Sequence, residues 1–194
     1  MKRLFTALLT VLALTSSQSL FAANFKGLLG LGYEGGGDNI LTARYTDGST
    51  STLAAGQGVF FSGGLGLQDL LSNPDGITLD TQVTLGVKVD TLAEARNASG
   101  TLTRFPIEGM VFGRYHWFRI GAGPSYHLGT NYYGTGVAAG RFNLNSSIGF
   151  ISEMDFFFSK ALSLGVRYGT IQYTLDNNSP MAGTSYGANL SWFL

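Results

Sequence analysis

Along most of this chain apolar and polar residues alternate one by one. That is the period of a β-strand, whose successive side chains point to opposite faces. The clearest case is 77–90, where Ile77, Leu79, Val83, Leu85, Val87 and Val89 alternate with Thr78, Asp80, Gln82, Thr84, Lys88 and Asp90. In 25–34, Phe25, Leu29, Leu31 and Tyr33 oppose Lys26 and Glu34; in 57–68, Val59, Phe61, Leu65 and Leu67 oppose Ser62 and Gln68. In 104–115, Phe105, Ile107, Val111 and Tyr115 stand against Glu108 and Arg114; in 118–128, Phe118, Ile120, Ala122, Tyr126 and Leu128 stand against Arg119, Ser125 and His127. Segment 147–158 sets Ile148, Phe150, Met154, Phe156 and Phe158 against Glu153 and Asp155. Segment 162–174 sets Leu162, Leu164, Val166 and Tyr168 against Ser163 and Arg167, then slips after Thr170, as at a bulge, so that Ile171 and Tyr173 become the apolar set. The chain ends on an eighth such segment, with Tyr186, Ala188, Leu190, Trp192 and Leu194 on one face and Gly187, Asn189, Ser191 and Phe193 on the other.

The gaps alternate in length. Segments 35–56, 91–103 and 129–146 are long, 175–182 is medium, 69–76 is fairly short, and 116–117 and 159–161 are tight. Eight alternating strands with long and short connections in turn are the signature of a transmembrane β-barrel, whose loops are long on one side and short on the other. Asn73-Pro74-Asp75-Gly76 supplies strong turn chemistry, and the first long loop contains a hairpin around Asp47-Gly48. Both chain ends fall on the short-turn side. The expected fold is therefore all-β: an eight-stranded, antiparallel, up-and-down transmembrane β-barrel, with Tyr186, Leu190, Trp192 and Leu194 on the strand that closes it. A barrel is one of two ways to satisfy every backbone polar group in lipid, and the other, a bundle of apolar helices, needs runs of about 18 residues that this sequence lacks after its N-terminus.

Composition agrees. Charged residues make up 12%, about half of the usual ~25%, while aromatics reach 13% and glycine is abundant. Residues 1–23 have a charged start at Lys2 and Arg3, a short apolar stretch from Leu4 to Leu14, and small residues up to Ala23. That is the layout of a cleavable export signal, leaving 24–194 as the mature barrel. Its loss moves the net charge from zero to minus two, which offers no footprint for nucleic acid. There is no cysteine, so no disulfide supports the exported chain.

Together these features resemble the small outer-membrane β-barrels of Gram-negative bacteria, the OmpA/OmpX-like group. The resemblance covers the whole mature chain at the level of architecture. It implies an outer-membrane location among outer-membrane lipids and lipopolysaccharide, a monomer, no cofactor, and a C-terminal strand read by the barrel-assembly machinery. In that group the last residue is commonly Phe; here Leu194 holds that place and Phe193 lies one position off register.

Polar-face residues of such a barrel point into an interior just wide enough to be filled by side chains. Asp80, Glu108, Arg114, Arg119, Glu153, Asp155 and Arg167, with Lys88, fall there. A turn centred on residue 160 sets Glu153 opposite Arg167. One centred between 116 and 117 sets Arg114 opposite Arg119, a like-charge pair that needs acidic neighbours, for which Asp80 and Asp155 lie at the right depth. Such residues form either a gated ion path or a salt-bridge network that plugs the lumen, and the narrow interior favours the plug. Trp117, Phe118, Phe158 and Trp192 are expected at the membrane interface on the short-turn side. Ser125 and His127 share the lumen face, with Glu108 opposite Ser125. A lipid-modifying enzyme built on them is disfavoured, because the nucleophile would point away from lipid. Gly30 to Gly35 matches a dinucleotide-binding glycine pattern but lacks the helix that pattern requires. His116 and His127 have no metal-ligand spacing. Tyr45, Tyr132 and Tyr133 are loop aromatics expected to pack within the loops or sit at the girdle. The leading expectation is a non-enzymatic structural or surface-interaction protein acting through its long loops, ahead of a narrow channel and of a lipid-modifying enzyme.

Overall fold

A computed structural model describes residues 24–45, 47–92, 98–175 and 179–194; the expected export signal lies outside them. The described chain is all strand and turn. Eight strands form the barrel wall: β1 (Asn24–Gly35), β4 (Gly58–Ser72), β5 (Ile77–Thr91), β6 (Ala98–Tyr115), β7 (Phe118–Gly136), β9 (Gly149–Ser159), β10 (Leu162–Thr170) and β13 (Ser185–Phe193). Each pairs antiparallel with the next, and β13 pairs with β1 from Leu28 opposite Phe193 to Gly35 opposite Tyr186, which closes the ring. The five remaining strands extend the wall at the loop end. They are the hairpin β2 (Asn39–Arg44) with β3 (Thr50–Ala54), then β8 (Gly140–Ser146), which continues the wall above β9, and the hairpin β11 (Gln172–Thr174) with β12 (Pro180–Ala182), which continues β10 and β13.

The alternation places each face. Phe25, Val83, Leu85, Val111, Ile120 and Leu164 are about half exposed, on the outside of the ring, although they are large and apolar. Their polar sequence neighbours are buried inside it. An exterior this apolar around a charged interior is inverted relative to a water-soluble protein, and it identifies lipid as the surrounding medium. On β1 eight residues separate Phe25 from Tyr33, and on β9 eight separate Phe158 from Phe150. At ~3.3 Å rise and ~40° tilt the band is about 20 Å tall. Exposed tyrosines Tyr33, Tyr126, Tyr168 and Tyr186 mark its upper edge, with Tyr168 directly opposite Tyr186. Trp117, Phe158 and Trp192 mark the lower edge, where Trp117 stacks on Phe156 at 5.6 Å and Phe118 leans on the same ring at 5.5 Å.

Three expectations about the connections need correction. Segment 69–72 is strand, not turn: β4 runs to Ser72 through a bulge at Asp69, whose φ is 57°. The bulge is held because Asp69 donates its N–H to Asp80 Oδ1 at 2.9 Å and its carboxylate pairs with Arg114. Next, the long gaps are largely strand, since β6 and β7 rise well above the apolar band and β8 pairs with β7 up to Gly140 opposite Gly134. Finally, the alternation does not slip at Thr170. Strand pairing is interrupted at Ile171, but inward and outward positions keep their parity through Tyr173. Ile171 and Tyr173 occupy the same inward face as Arg167; what changes is the interior, which becomes apolar at that height.

Candidate functional site: a sealed lumen beneath a packed cap

The lumen charges form a layered network. At mid-height Arg167 on β10 reaches three carboxylates on three strands: Glu34 Oε1 at 3.0 Å, Glu153 Oε2 at 3.0 Å and Glu108 Oε1 at 2.8 Å. Its guanidinium also lies 4.5 Å from the centre of the Phe60 ring. Register explains part of this, because Arg167 is directly opposite Glu153. Glu34 in turn pairs with Lys88 and accepts from Ser185 Oγ at 2.8 Å. The alternation put Glu34 on a polar face, but neither it nor Ser185, just before the closing segment, was counted among the lumen residues from sequence.

Toward the turn end, Arg114 and Arg119 face each other across β6 and β7. Their like charges are separated by acids: Arg114 Nε lies 2.9 Å from Asp80, and Arg119 Nε lies 2.6 Å from Asp155, with Glu153 at 3.8 Å. Arg119 is also boxed by aromatics. Its guanidinium carbon sits 3.8 Å from the Phe112 ring centre, 4.9 Å from Phe193 and 5.5 Å from Phe157. The off-register Phe193 is thus an inward, buried residue that helps close the lumen floor, while Trp192 and Leu194 face outward. Below this floor a vestibule of about 630 Å³ opens at the turn end between Lys26, Arg114, His116 and Lys160.

At the loop end the lumen meets a second seal. Arg104 is wholly buried and donates to the carbonyls of Ala55 and Gln57, while Lys88 Nζ donates to the carbonyl of Gly56 at 2.6 Å. Two inward cations thus hold the 55–57 segment across the mouth. The seat is close: a Cβ on Gly56 would run into the Thr184 carbonyl. Above the strap, Tyr45, Leu53, Leu92, Leu102, Tyr132, Leu144 and Tyr173 pack into one apolar cluster. Of the loop aromatics, Tyr45 and Tyr132 belong to this cluster and Tyr133 faces out, 63% exposed. Arg104 shares the inward parity of Glu108 and Arg114, a signal that could have found it, but it stands at the first position of its segment and was not counted with them.

Between the seals, a cavity of about 20 Å³ lined by Lys88, Glu108, Ser125, His127 and Arg167 holds little more than one water molecule. His127 Nδ1 pairs with the Tyr173 hydroxyl and Glu108 is bound to Arg167. His127 and Glu108 are therefore engaged with Tyr173 and Arg167 rather than lined up with Ser125 as a relay for nucleophilic attack. Among the described residues no group of three or more potential ligands is placed to hold a metal ion.

A closed ring of eight antiparallel strands, an apolar outer band with aromatic edges and an ion-paired interior define a small transmembrane β-barrel of the OmpA/OmpX-like architecture. No protein-family model and no curated protein matches the sequence. Among solved structures, the chain is similar to the attachment invasion locus protein Ail of Yersinia pestis, solved with the heparin analogue sucrose octasulfate. The TM-score is 0.49 and the identity 8%, over 89% of this chain and 99% of that one.

Proposed function

We propose that this chain is a monomeric outer-membrane protein that does no catalysis and conducts no solute. Its lumen serves stability, and its ordered loop-end cap meets molecules at the cell surface. The observation that carries this reading is the pair of seals. The Arg119 aromatic box closes the floor and the Ala55–Gln57 strap closes the mouth, with the Arg167 network between them. A barrel that conducts needs a continuous wet path, and this interior leaves room for about one water between its seals. Export by the 1–23 signal and recognition of the β13 strand by the barrel-assembly machinery belong to the same proposal. The short turns and both ends of the mature chain would face the periplasm, and the cap the exterior, as in barrels with long outer loops.

The test is electrical and chemical. Protein refolded into planar bilayers is expected to give no steady single-channel current. Cells that overproduce it are expected to keep their lipid A and phospholipid mass spectra unchanged. Steady conductance would establish the channel reading instead, and a new acylated or deacylated lipid species would establish an enzyme.

A further inference from the structure

Above the upper tyrosine edge, the outward faces of β6, β7 and β8 form a single exposed sheet surface. Cross-strand register assembles it: Thr101 is opposite Tyr133, which is opposite Arg141, and Thr103 is opposite Asn131, which is opposite Asn143. Asn145 extends it to Thr174 on β11. Asn131, Tyr133, Arg141, Asn143 and Asn145 are all exposed. Among the described residues of these extensions, 98–104, 130–136, 140–146 and 172–174, there is no acidic residue, and Arg141 is the one outward cation.

We infer that this face binds the sugar portion of a membrane glycolipid whose acyl chains lie against the apolar band directly below. The inference rests on the outer-membrane reading above. Its chemistry follows from the side chains. Amides and hydroxyls are each both donor and acceptor, as sugar hydroxyls are. The exposed Tyr133 ring offers a flat apolar surface with a polar tip, suited to the C–H face of a pyranose. Arg141, opposite it, supplies one planar, fork-shaped donor for a phosphate or carboxylate. A protein partner fits less well, since interface cores are built from several large apolar and aromatic residues, and Tyr133 is the one such side chain among the residues named above. A polysulfated chain fits poorly too, because it would need a row of cations rather than one.

Continuity with the lipid-facing wall selects the source. Phe105 and Ile107 on β6, Leu128 on β7 and Phe150 on β9 face outward below the polar face on the same continuous wall. A molecule with acyl chains in the band would carry its first sugars up against Asn131, Tyr133 and Asn143. Tethering raises their effective concentration, so modest individual contacts suffice.

The experiment compares the refolded barrel in three bilayers: lipopolysaccharide with its core sugars, lipid A alone, and phospholipid. Amide exchange is read by mass spectrometry and insertion by heat-modifiable gel mobility. We expect insertion in all three, with exchange over 131–133 and 141–145 slowed about tenfold or more only where core sugars are present. The slowing should persist at high salt, because one cation contributes little counterion release. Tyr133→Ala with Asn143→Leu should abolish it while leaving gel mobility and exchange in the membrane strands unchanged. Equal exchange with and without core sugars would overturn the inference, as would protection that survives the double substitution. Released core oligosaccharide that protects the phospholipid-embedded barrel equally well would reassign the face to soluble glycans. Failure to insert in any bilayer would instead defeat the outer-membrane reading.

Discussion

Arg167→Met tests whether the lumen network stabilises the barrel. The substitution removes one cation from three carboxylates. Two of them retain another partner: Glu34 keeps Lys88, and Glu153 keeps Arg119 at 3.8 Å. Among the described ion pairs Glu108 keeps none, because both its oxygens are held by the same Arg167 nitrogen at 2.8 Å. The site is almost dry, so Glu108 would be left as an uncompensated buried charge, at a cost of about 3–5 kcal/mol. Every 1.4 kcal/mol is tenfold in the folding equilibrium, so the ratio of folded to unfolded barrel should fall by about two to three and a half decades. Adding Glu108→Met should recover most of that loss, because replacing a buried pair with apolar groups of similar volume is often neutral or stabilising. The assay is reversible urea unfolding in lipid vesicles, followed by the fluorescence of Trp117 and Trp192. Their turn-end positions lie far from the substitution, and the slope with denaturant should stay constant if the native barrel is unchanged. A single substitution costing under about 1 kcal/mol, or a double variant no more stable than the single one, would refute the argument.

Four further outcomes follow from the same geometry. Arg104→Met should leave the membrane strands intact but free the strap, read as faster amide exchange and protease cleavage confined to the loop end. Phe193→Ala should cost about 3–5 kcal/mol through the floor of the lumen, whereas Leu194→Ala at the exposed last position should cost far less, as measured by the same urea titration. Lipid-embedded quenchers should report both tryptophans near one membrane face, and quenching at two opposite depths would contradict the common turn-end placement. In the β2–β3 hairpin, the Ser49 hydroxyl and N–H hold the Asp47 carboxyl below its ordinary value, so any local support it gives is present above the ordinary Asp pKa and fades as pH falls through the depressed one. NMR titration should show that midpoint rising in Ser49→Ala.

The wall was legible from sequence because a half-lipid, half-lumen strand must alternate at every step, so Val83 and Gln82 declare opposite faces without reference to anything distant. The tight turns were legible for the same reason, since Asn73 to Gly76 and residues 116–117 fix register locally. What sequence hid were contacts that depend on curvature and on several strands at once. Glu34, Lys88, Arg104 and Arg167 come from four strands, and no spacing along the chain announces that Lys88 and Arg104 converge on the Ala55–Gln57 segment while Glu34 ties Lys88 to Arg167 below it. Asp69 was hidden for a different reason. It sits beside good turn residues, and only its partners Asp80 and Arg114 make a strand bulge preferable to an early turn.

The apparent slip at Thr170 shows how the two halves of this molecule relate. A strand that leaves lipid for water does not need to change which side chains point inward; the media on its two sides change instead. Below Thr170 the exterior is hydrocarbon, so the inward Ser163 and Arg167 are polar and the outward Leu164 and Val166 are apolar. Above it the exterior is water, so the inward Ile171 and Tyr173 join an apolar cluster while Gln172 faces out. β7 reaches the same outcome by another route: an extra residue at Gly129, whose φ is 53°, flips its parity, so that Leu128 faces out and Tyr132 faces in. The ring therefore supports two folding problems stacked end to end, an inside-out barrel and a conventional small core. Arg104 and Lys88 lie at their junction, where a buried cation has a polar network below and main-chain carbonyls above to satisfy it. That placement makes the cap a continuation of the barrel and not a set of loose loops. It is why a rigid surface, such as the face around Tyr133, is available above the membrane.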